Sequence, residues 1–499
     1  MAEIRDIPLS FGQRALWFVQ KLAPGATAYN VSLPARTQGL DVAAFCAAWQ
    51  ALAGRHPVLR TTCPAPGGQP VGRVHAELPV EVIEIDASGW SAAELDRGLG
   101  EAAHRPFRLE DAPAVRLFLF HRPDGETITL PSLHHLSIDF SSLAILLDEL
   151  GVLYDAIRAG RRPALLPPAA TYEEFARWQA EMLAGPRGAE LEELWRHRLA
   201  GAPPVLELPA DRPRPAGQTF AGGSLAVALP EELTRGARAL AAAEGVTLAT
   251  LLLAAFQALL FRISGQDDVL VGCPVPGRPS SRFREVVGYF VNSVVVRTSL
   301  SGLPGFRELL ARVRERVAEA EAWQDFPFPL LVERLRPPRE AGVAPFFQVF
   351  FVLYDGEEER VSRLLTGQAG ATLRTGSLEL APFPLGGRAA MFDLSLLMGA
   401  AGDRVAATFQ YSSDLFEAAT IERLAADYTD LIAAAVADPA RPVATLPASL
   451  GAARRSAAAP GDPAVSFLDA ESSSDRAATR RALLDRQKRL RAASPRNRP

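Results

Sequence analysis

Cysteine is nearly absent: Cys46, Cys63 and Cys273 are the only three among 499 residues. So odd and sparse a set cannot form a disulfide framework, and it fits a reducing, cytoplasmic compartment. Long apolar runs are missing too, since none reaches the roughly 18 residues that a bilayer span needs. The start, Met1-Ala2-Glu3-Ile4-Arg5-Asp6, has no basic stretch leading into an apolar one, so no signal peptide is expected. Neither sign of charge dominates. A net charge of -4 gives no global field that would draw nucleic acid or an anionic membrane. Gly67-Gly68 and Gly386-Gly387 are turn signals and not phosphate loops, because no Gly-Lys-Ser/Thr follows them. Neither Cys-x-x-Cys nor His-Glu-x-x-His occurs, so no metal site is expected. There is no short-period repeat.

What remains is an ordinary globular composition, 48% hydrophobic and 22% charged, over a length that exceeds one domain. Ser10 with Gln13 is in capping-box register for a first helix, and Asp41 can cap a second in which Phe45, Trp49 and Leu52 share a face. Residues 113–120 and 127–133 read as strands, and 141–158 as a helix. Tyr172 to Leu199 reads as one long helix. The Pro-, Arg- and Gly-rich stretch from Pro203 to Gly217 is the best boundary between two lobes. Beyond it, strands are expected at 224–229, 268–275, 290–299, 346–354, 391–398 and 405–411. Helices are expected at 231–244, 247–263 and 417–437. Interleaved strands and helices in both halves indicate a two-layer α/β sandwich in each. The expected organisation is a lobe over 1–175, a connecting helix and linker over 176–217, a second lobe over 218–448, and a disordered tail over 449–499 with one short basic helix, Arg476 to Ala492. That basic cluster could bind an acidic partner; a plain solvated tail is the blander reading.

The most informative segment is Leu133-His134-His135-Leu136-Ser137-Ile138-Asp139-Phe140-Ser141-Ser142. It follows a strand and opens a helix, so the two histidines occupy a turn that a rigid scaffold can present to a cleft. Imidazole, with a pKa of about 6.5, suits proton transfer near neutrality. A lone histidine is most often a satisfied or surface residue. A His-His-x-x-x-Asp cluster between apolar elements is much harder to dismiss.

Taken in order, several segments resemble the condensation domains of nonribosomal peptide synthetases, within the superfamily of chloramphenicol acetyltransferase-like acyltransferases. Leu9-Ser10-Phe11-Gly12-Gln13-Arg14-Ala15-Leu16-Trp17-Phe18 resembles the opening motif, and Arg55-His56-Pro57-Val58-Leu59-Arg60-Thr61-Thr62 the second. The histidine segment is similar to the third, usually written His-His-x-x-x-Asp-Gly. Tyr172-Glu173-Glu174-Phe175-Ala176-Arg177-Trp178, Val287-Gly288-Tyr289-Phe290-Val291-Asn292-Ser293, Gln324-Asp325-Phe326-Pro327-Phe328 and Pro345-Phe346-Phe347-Gln348-Val349-Phe350-Phe351 resemble the fourth to seventh. The resemblance covers residues 7–450.

It implies an α/β fold of two chloramphenicol acetyltransferase-like lobes in a V-shaped pseudo-dimer, with a tunnel between them. It implies His135 as the catalytic group, His134 as support behind it, and a structural ion pair between Asp139 and Arg278. Phe140 stands where the family has glycine; it either packs against a neighbouring strand or, with Ser141, shapes the substrate tunnel or weakens activity. Phenylalanine there also forbids easy positive φ. Trp323 and Pro329 stand in place of the sixth motif's usual histidine and glutamate. The implied reaction joins a carrier-bound acyl or aminoacyl thioester to an amine. Donor and acceptor carrier proteins, or a free amine acceptor, are the expected partners of a monomer that takes no part in nucleic-acid or membrane binding. Phosphopantetheine arrives on the carriers, and this chain holds no cofactor. Nothing before residue 7 suggests another domain, which suits a free-standing or starter-type enzyme. An ester-forming relative with an alcohol acceptor is the alternative, as is a catalytically impaired scaffold of the same fold. An epimerising relative fits less well, because the opening and fifth motifs look like condensation types.

Overall fold

The computed structural model describes residues 4–355, 361–362, 364, 372–385 and 389–449. Gly386-Gly387 and the expected tail with its basic helix lie outside the described residues. Residues up to Ala448 form one contact unit built on two large sheets.

The N-terminal sheet runs in the order Leu373–Thr375, Leu378–Pro382, Ala35–Gln38, Glu126–His134, Val115–His121 and Glu81–Asp86, with Asn30–Ser32 also paired to Glu126–His134. Its two central strands are almost wholly buried, which explains their continuous β-branched and aromatic sequence. Leu117, Leu119 and Leu133 meet the helices Val42–Arg55 and Phe140–Arg158 on one face. Phe118, Phe120, Ile128 and Leu130 meet the helix Ala92–Ala103 on the other. The sheet is therefore covered on both sides, where the alternation of elements suggested two layers. The strands at 373–382 come from the second half of the chain and add to the first-half sheet through Ala381↔Arg36.

The C-terminal sheet orders Asn292–Ser299, Asp268–Val275, Val349–Asp355, Leu394–Ala401, Arg404–Ser412 and Gly222–Leu229. The apolar helix Leu248–Ser264 packs in this lobe beside the helices Ala418–Ala437 and Phe306–Ala322. Among the described residues no single helix is long and apolar enough to cross a membrane, and the pair of Leu248–Ser264 with Glu231–Ala243, bent by 105°, reaches that length and composition only when the two are taken together. Residues Leu251 to Leu260 are buried in the core, which accounts for that composition.

The long helix expected from Tyr172 to Leu199 is broken. Gly185 ends Tyr172–Ala184 with extended backbone, and Pro186 occupies the first turn of Pro186–Leu199. Proline lacks the N–H that a continuing helix would require but is well suited to a helix start.

Candidate active site

The strand Glu126–His134 ends inside the sheet, and the chain turns there before the helix Phe140–Arg158. Asp139 makes that stop and start possible. Its Oδ1 accepts from the Ser142 N–H at 2.8 Å and caps the helix.

His134 is fully buried, with its ring edge-on to Phe107 at 5.8 Å. Its Nδ1 accepts from the Leu136 N–H at 3.0 Å, so the ring proton sits on Nε2. Burial first, then the neighbouring His135 and Arg116, push its pKa down to about 3, and the ring stays neutral. His135 is half-buried. Its main-chain N–H donates to Tyr29 O at 2.8 Å, and its ring lies edge-on to Tyr289 at 5.1 Å. Nδ1 lies 2.7 Å from Ile138 O, and a carbonyl can only accept. Nδ1 therefore carries the proton, and Nε2 presents its lone pair. Burial pushes the His135 pKa down, partly offset by the Ile138 carbonyl and Asp139. The two rings thus hold opposite tautomers.

Asp139 meets Arg278, from the loop after the strand Asp268–Val275. Nη1 donates to Oδ2 at 2.8 Å and Nη2 to Oδ1 at 3.1 Å. Oδ2 also accepts from the Phe290 N–H at 3.1 Å, and the guanidinium lies over the Phe290 ring at 4.3 Å. Ser142 Oγ donates within 2.6 Å of Asp139 Oδ1 and accepts from the Gly288 N–H at 3.0 Å. Gly277 has φ +63°, and a Cβ there would lie 2.0 Å from Phe290 O, so only glycine lets the loop turn Arg278 inward. Gly288 is equally constrained, because a Cβ would lie 1.9 Å from the Tyr172 ring.

The opening segment props the turn from behind. Ser10 and Gln13 form a capping box, and Gln13 Nε2 donates to Leu136 O at 3.1 Å. Tyr172 Oη lies within hydrogen-bond reach of Ser10 Oγ and Tyr289 O. His56 and Arg55 both bind Glu149 on the active-site helix, at 2.7 and 2.9 Å. Asn292 holds the sixth-motif segment, donating to Gln324 O and Phe326 O and accepting from the Phe328 N–H. Trp323 packs edge-on to Trp195 at 5.4 Å. Among the described residues no cluster suits a metal ion.

Phe140 takes the first helical position, with Ser141 next in the same turn. Its φ is not positive, so the conformational restriction expected of phenylalanine has no force at this site. Its ring stacks on Tyr354, with centroids 3.9 Å apart and planes 14° from parallel, which joins the active-site helix to a strand of the other lobe. Tyr29, Ser142 and Tyr354 escaped the sequence reading. Ser142 lies three residues after a helix cap, a readable signal. The other two are brought in by distant pairing.

The chain matches the family model described as Condensation domain over residues 3–452. It is 39% identical over 450 residues to a linear gramicidin synthase protein of Brevibacillus parabrevis, covering 89% of this chain and 6% of that protein. It is 38% identical over 448 residues to phosphinothricin tripeptide synthetase PhsC of Streptomyces viridochromogenes, covering 88% and 40%. The chain thus spans a small part of these relatives. A four-domain nonribosomal peptide synthetase superimposes with a TM-score of 0.81 at 25% identity over 89% of this chain and 34% of that one. The X-domain from teicoplanin biosynthesis does so with 0.79 at 27%, over 89% and 98%. This chain belongs to the condensation-domain family of nonribosomal peptide synthetases.

Proposed function

We propose that this chain condenses a carrier-bound acyl or aminoacyl thioester with an amine acceptor, with His135 as the proton-transfer group. The observation that carries this reading is the His135 ring itself, whose Nδ1–H is committed to Ile138 O and whose Nε2 lone pair is presented. The amine nitrogen attacks the thioester carbon and forms the C–N bond of a tetrahedral intermediate, whose collapse breaks the C–S bond. Nε2 takes the excess proton from the tetrahedral intermediate and returns it to the departing thiolate. A base of lowered pKa is well matched to that task, because the nitrogen of the intermediate is far more acidic than a free ammonium. The acceptor must arrive neutral, and an α-amine has a pKa of about 7.7–8.0, so positioning contributes alongside base strength.

Condensation domains work with carrier-protein domains, and the thioester arm would be the carriers' phosphopantetheine. His134, Asp139 and Arg278 act as the frame that holds the turn. A cytoplasmic monomer without nucleic-acid or membrane partners completes the reading. Intact-protein mass spectrometry of loaded carriers tests it. With enzyme, the donor carrier should lose its acyl mass and the acceptor carrier or free amine should gain it. The kcat limb on the acid side should lie below about pH 6.5, since the neutral ring is the working form and its pKa is lowered. Transfer to alcohols alone would establish the ester-forming alternative. The teicoplanin X-domain is known in complex with OxyB, and a recruiting role of that kind would leave every carrier mass unchanged.

Phe140, with Ser141, is proposed to narrow the substrate passage. Phe140→Gly should cost about 2–3 kcal/mol, from the lost aromatic pair, the half-buried ring's packing on the lobe core and added backbone entropy, and should admit bulkier amines. Melting temperature and relative rates on small and bulky acceptors check it. A loss of about 3–5 kcal/mol at unchanged preference would place the ring purely in the core.

A further inference from the structure

Behind His134 lie three buried side-chain atoms with no hydrogen-bond partner among the described residues: Asn30 Oδ1, Arg116 Nε and His134 Nε2. They belong to one place. Asn30 sits directly opposite His134 in the antiparallel ladder, and Arg116 sits opposite Ser132, two residues before His134. Opposed residues and those two apart share one face of a sheet. The side chains also meet through common neighbours. Asn30 Nδ2, at 3.1 Å, and Arg116 Nη2 both donate to Arg105 O. The Phe107 ring carries the Arg116 guanidinium on its face at 3.8 Å and the His134 ring against it at 5.8 Å. Arg116 is only 4% exposed, and burial pushes its pKa down to about 10.

The hydrogen-bond chemistry of the three atoms is determined. His134 Nδ1 accepts, so Nε2 is a donor. Arg116 Nε can only donate. Asn30 Nδ2 is used on Ala103 O and Arg105 O, so Oδ1 is an acceptor. Two donors and one acceptor are the complement of a single water molecule, and buried waters make about three such bonds.

We propose that this face holds one buried water joining Asn30, Arg116 and His134, and that Asn30 and Arg116 are positioning residues for His135. The link to His135 is short. His134 Nδ1 holds the next-but-one main-chain N–H of the turn, and Tyr29, the neighbour of Asn30, accepts from the His135 N–H. Loosening Asn30 or His134 therefore moves the base on both sides. The water stands independently of the proposed function, whereas the effect on turnover rests on it.

The experiment uses the whole chain labelled with 15N-histidine. In the wild type, the His134 Nε2–H resonance should be visible and show a cross-peak to a long-lived water. In Asn30→Leu, which removes the acceptor at similar volume, that cross-peak should vanish. The kcat of the folded protein should fall about tenfold at unchanged KM, with shifted His135 ring resonances. Should Asn30→Leu fail to fold, Arg116→Met provides the same readings while keeping an apolar stem beneath Phe107. Absence of the water cross-peak in the folded wild type overturns the proposal, whatever the activity. Loss of the water with kcat and His135 resonances unchanged overturns the positioning role. A chain inactive on every carrier but with the water in place refutes the proposed function and leaves the water site standing.

Discussion

His135→Ala is expected to lower kcat about 10²–10⁴-fold while KM and the melting temperature stay near wild type. The fold should survive because the backbone bond that seats this residue, from its N–H to Tyr29 O, does not involve the ring. Among the described residues the ring hydrogen-bonds to Ile138 O and makes an edge contact with Tyr289. Losing a single hydrogen bond at a half-buried position costs about 1 kcal/mol. The chemistry has no such reserve. His134 cannot substitute: its Nδ1 is occupied by the Leu136 N–H, its Nε2 is protonated, and its ring is fully buried. The residual rate should come from positioning alone, so it should track the neutral fraction of the amine and rise through pH 8. Turnover within a few-fold of wild type at normal stability would remove His135 from the reaction and favour the recruiting reading.

Local signals in this chain were legible. The Ser10–Gln13 capping box, the Asp41 cap and the strand Asp268–Val275 formed where their residue types demand. The histidine turn was legible for the same reason, since a buried β-run and a capped helix leave little choice for what lies between them. The break at Gly185-Pro186 was readable but was outweighed by the apolar spacing on either side. The helix Phe306–Ala322 was overlooked beneath its many charges, although Phe306, Leu309, Leu310 and Val313 mark its buried face at helical spacing. The strands Leu373–Thr375 and Leu378–Pro382 could not have been placed by local reasoning. They pair with each other as a hairpin, but the strand onto which Leu378–Pro382 adds, Ala35–Gln38, lies more than three hundred residues away, and nothing in a short strand's composition specifies so distant a neighbour. The same limit hid Tyr354, which reaches Phe140 only because two lobes meet.

Asp139→Ala should do the opposite of His135→Ala, destabilising the protein by at least about 3–5 kcal/mol. The carboxylate is 2% exposed and its partner Arg278 9%. Removing it leaves the guanidinium buried without its counter-charge and strips the cap from Phe140–Arg158, an effect worth about 0.5–2 kcal/mol by itself. It also deprives the Phe290 N–H of its acceptor and leaves Ser142 Oγ with Gly288 O in place of the carboxylate. These losses share one residue and are not additive, so the paired variant is the sharper measurement. Arg278→Ala alone should be similarly damaging, because it leaves a buried carboxylate, while Asp139→Ala with Arg278→Ala should be far less damaging than the two summed. Urea unfolding of the four proteins closes the cycle. A coupling of several kcal/mol identifies the pair as the tie between the active-site helix and the loop after Asp268–Val275, hence between the lobes. A coupling near zero would mean that water screens the two charges, and the turn would then owe its shape to its other supports, Gln13, Tyr172, Tyr29 and the His134 ring.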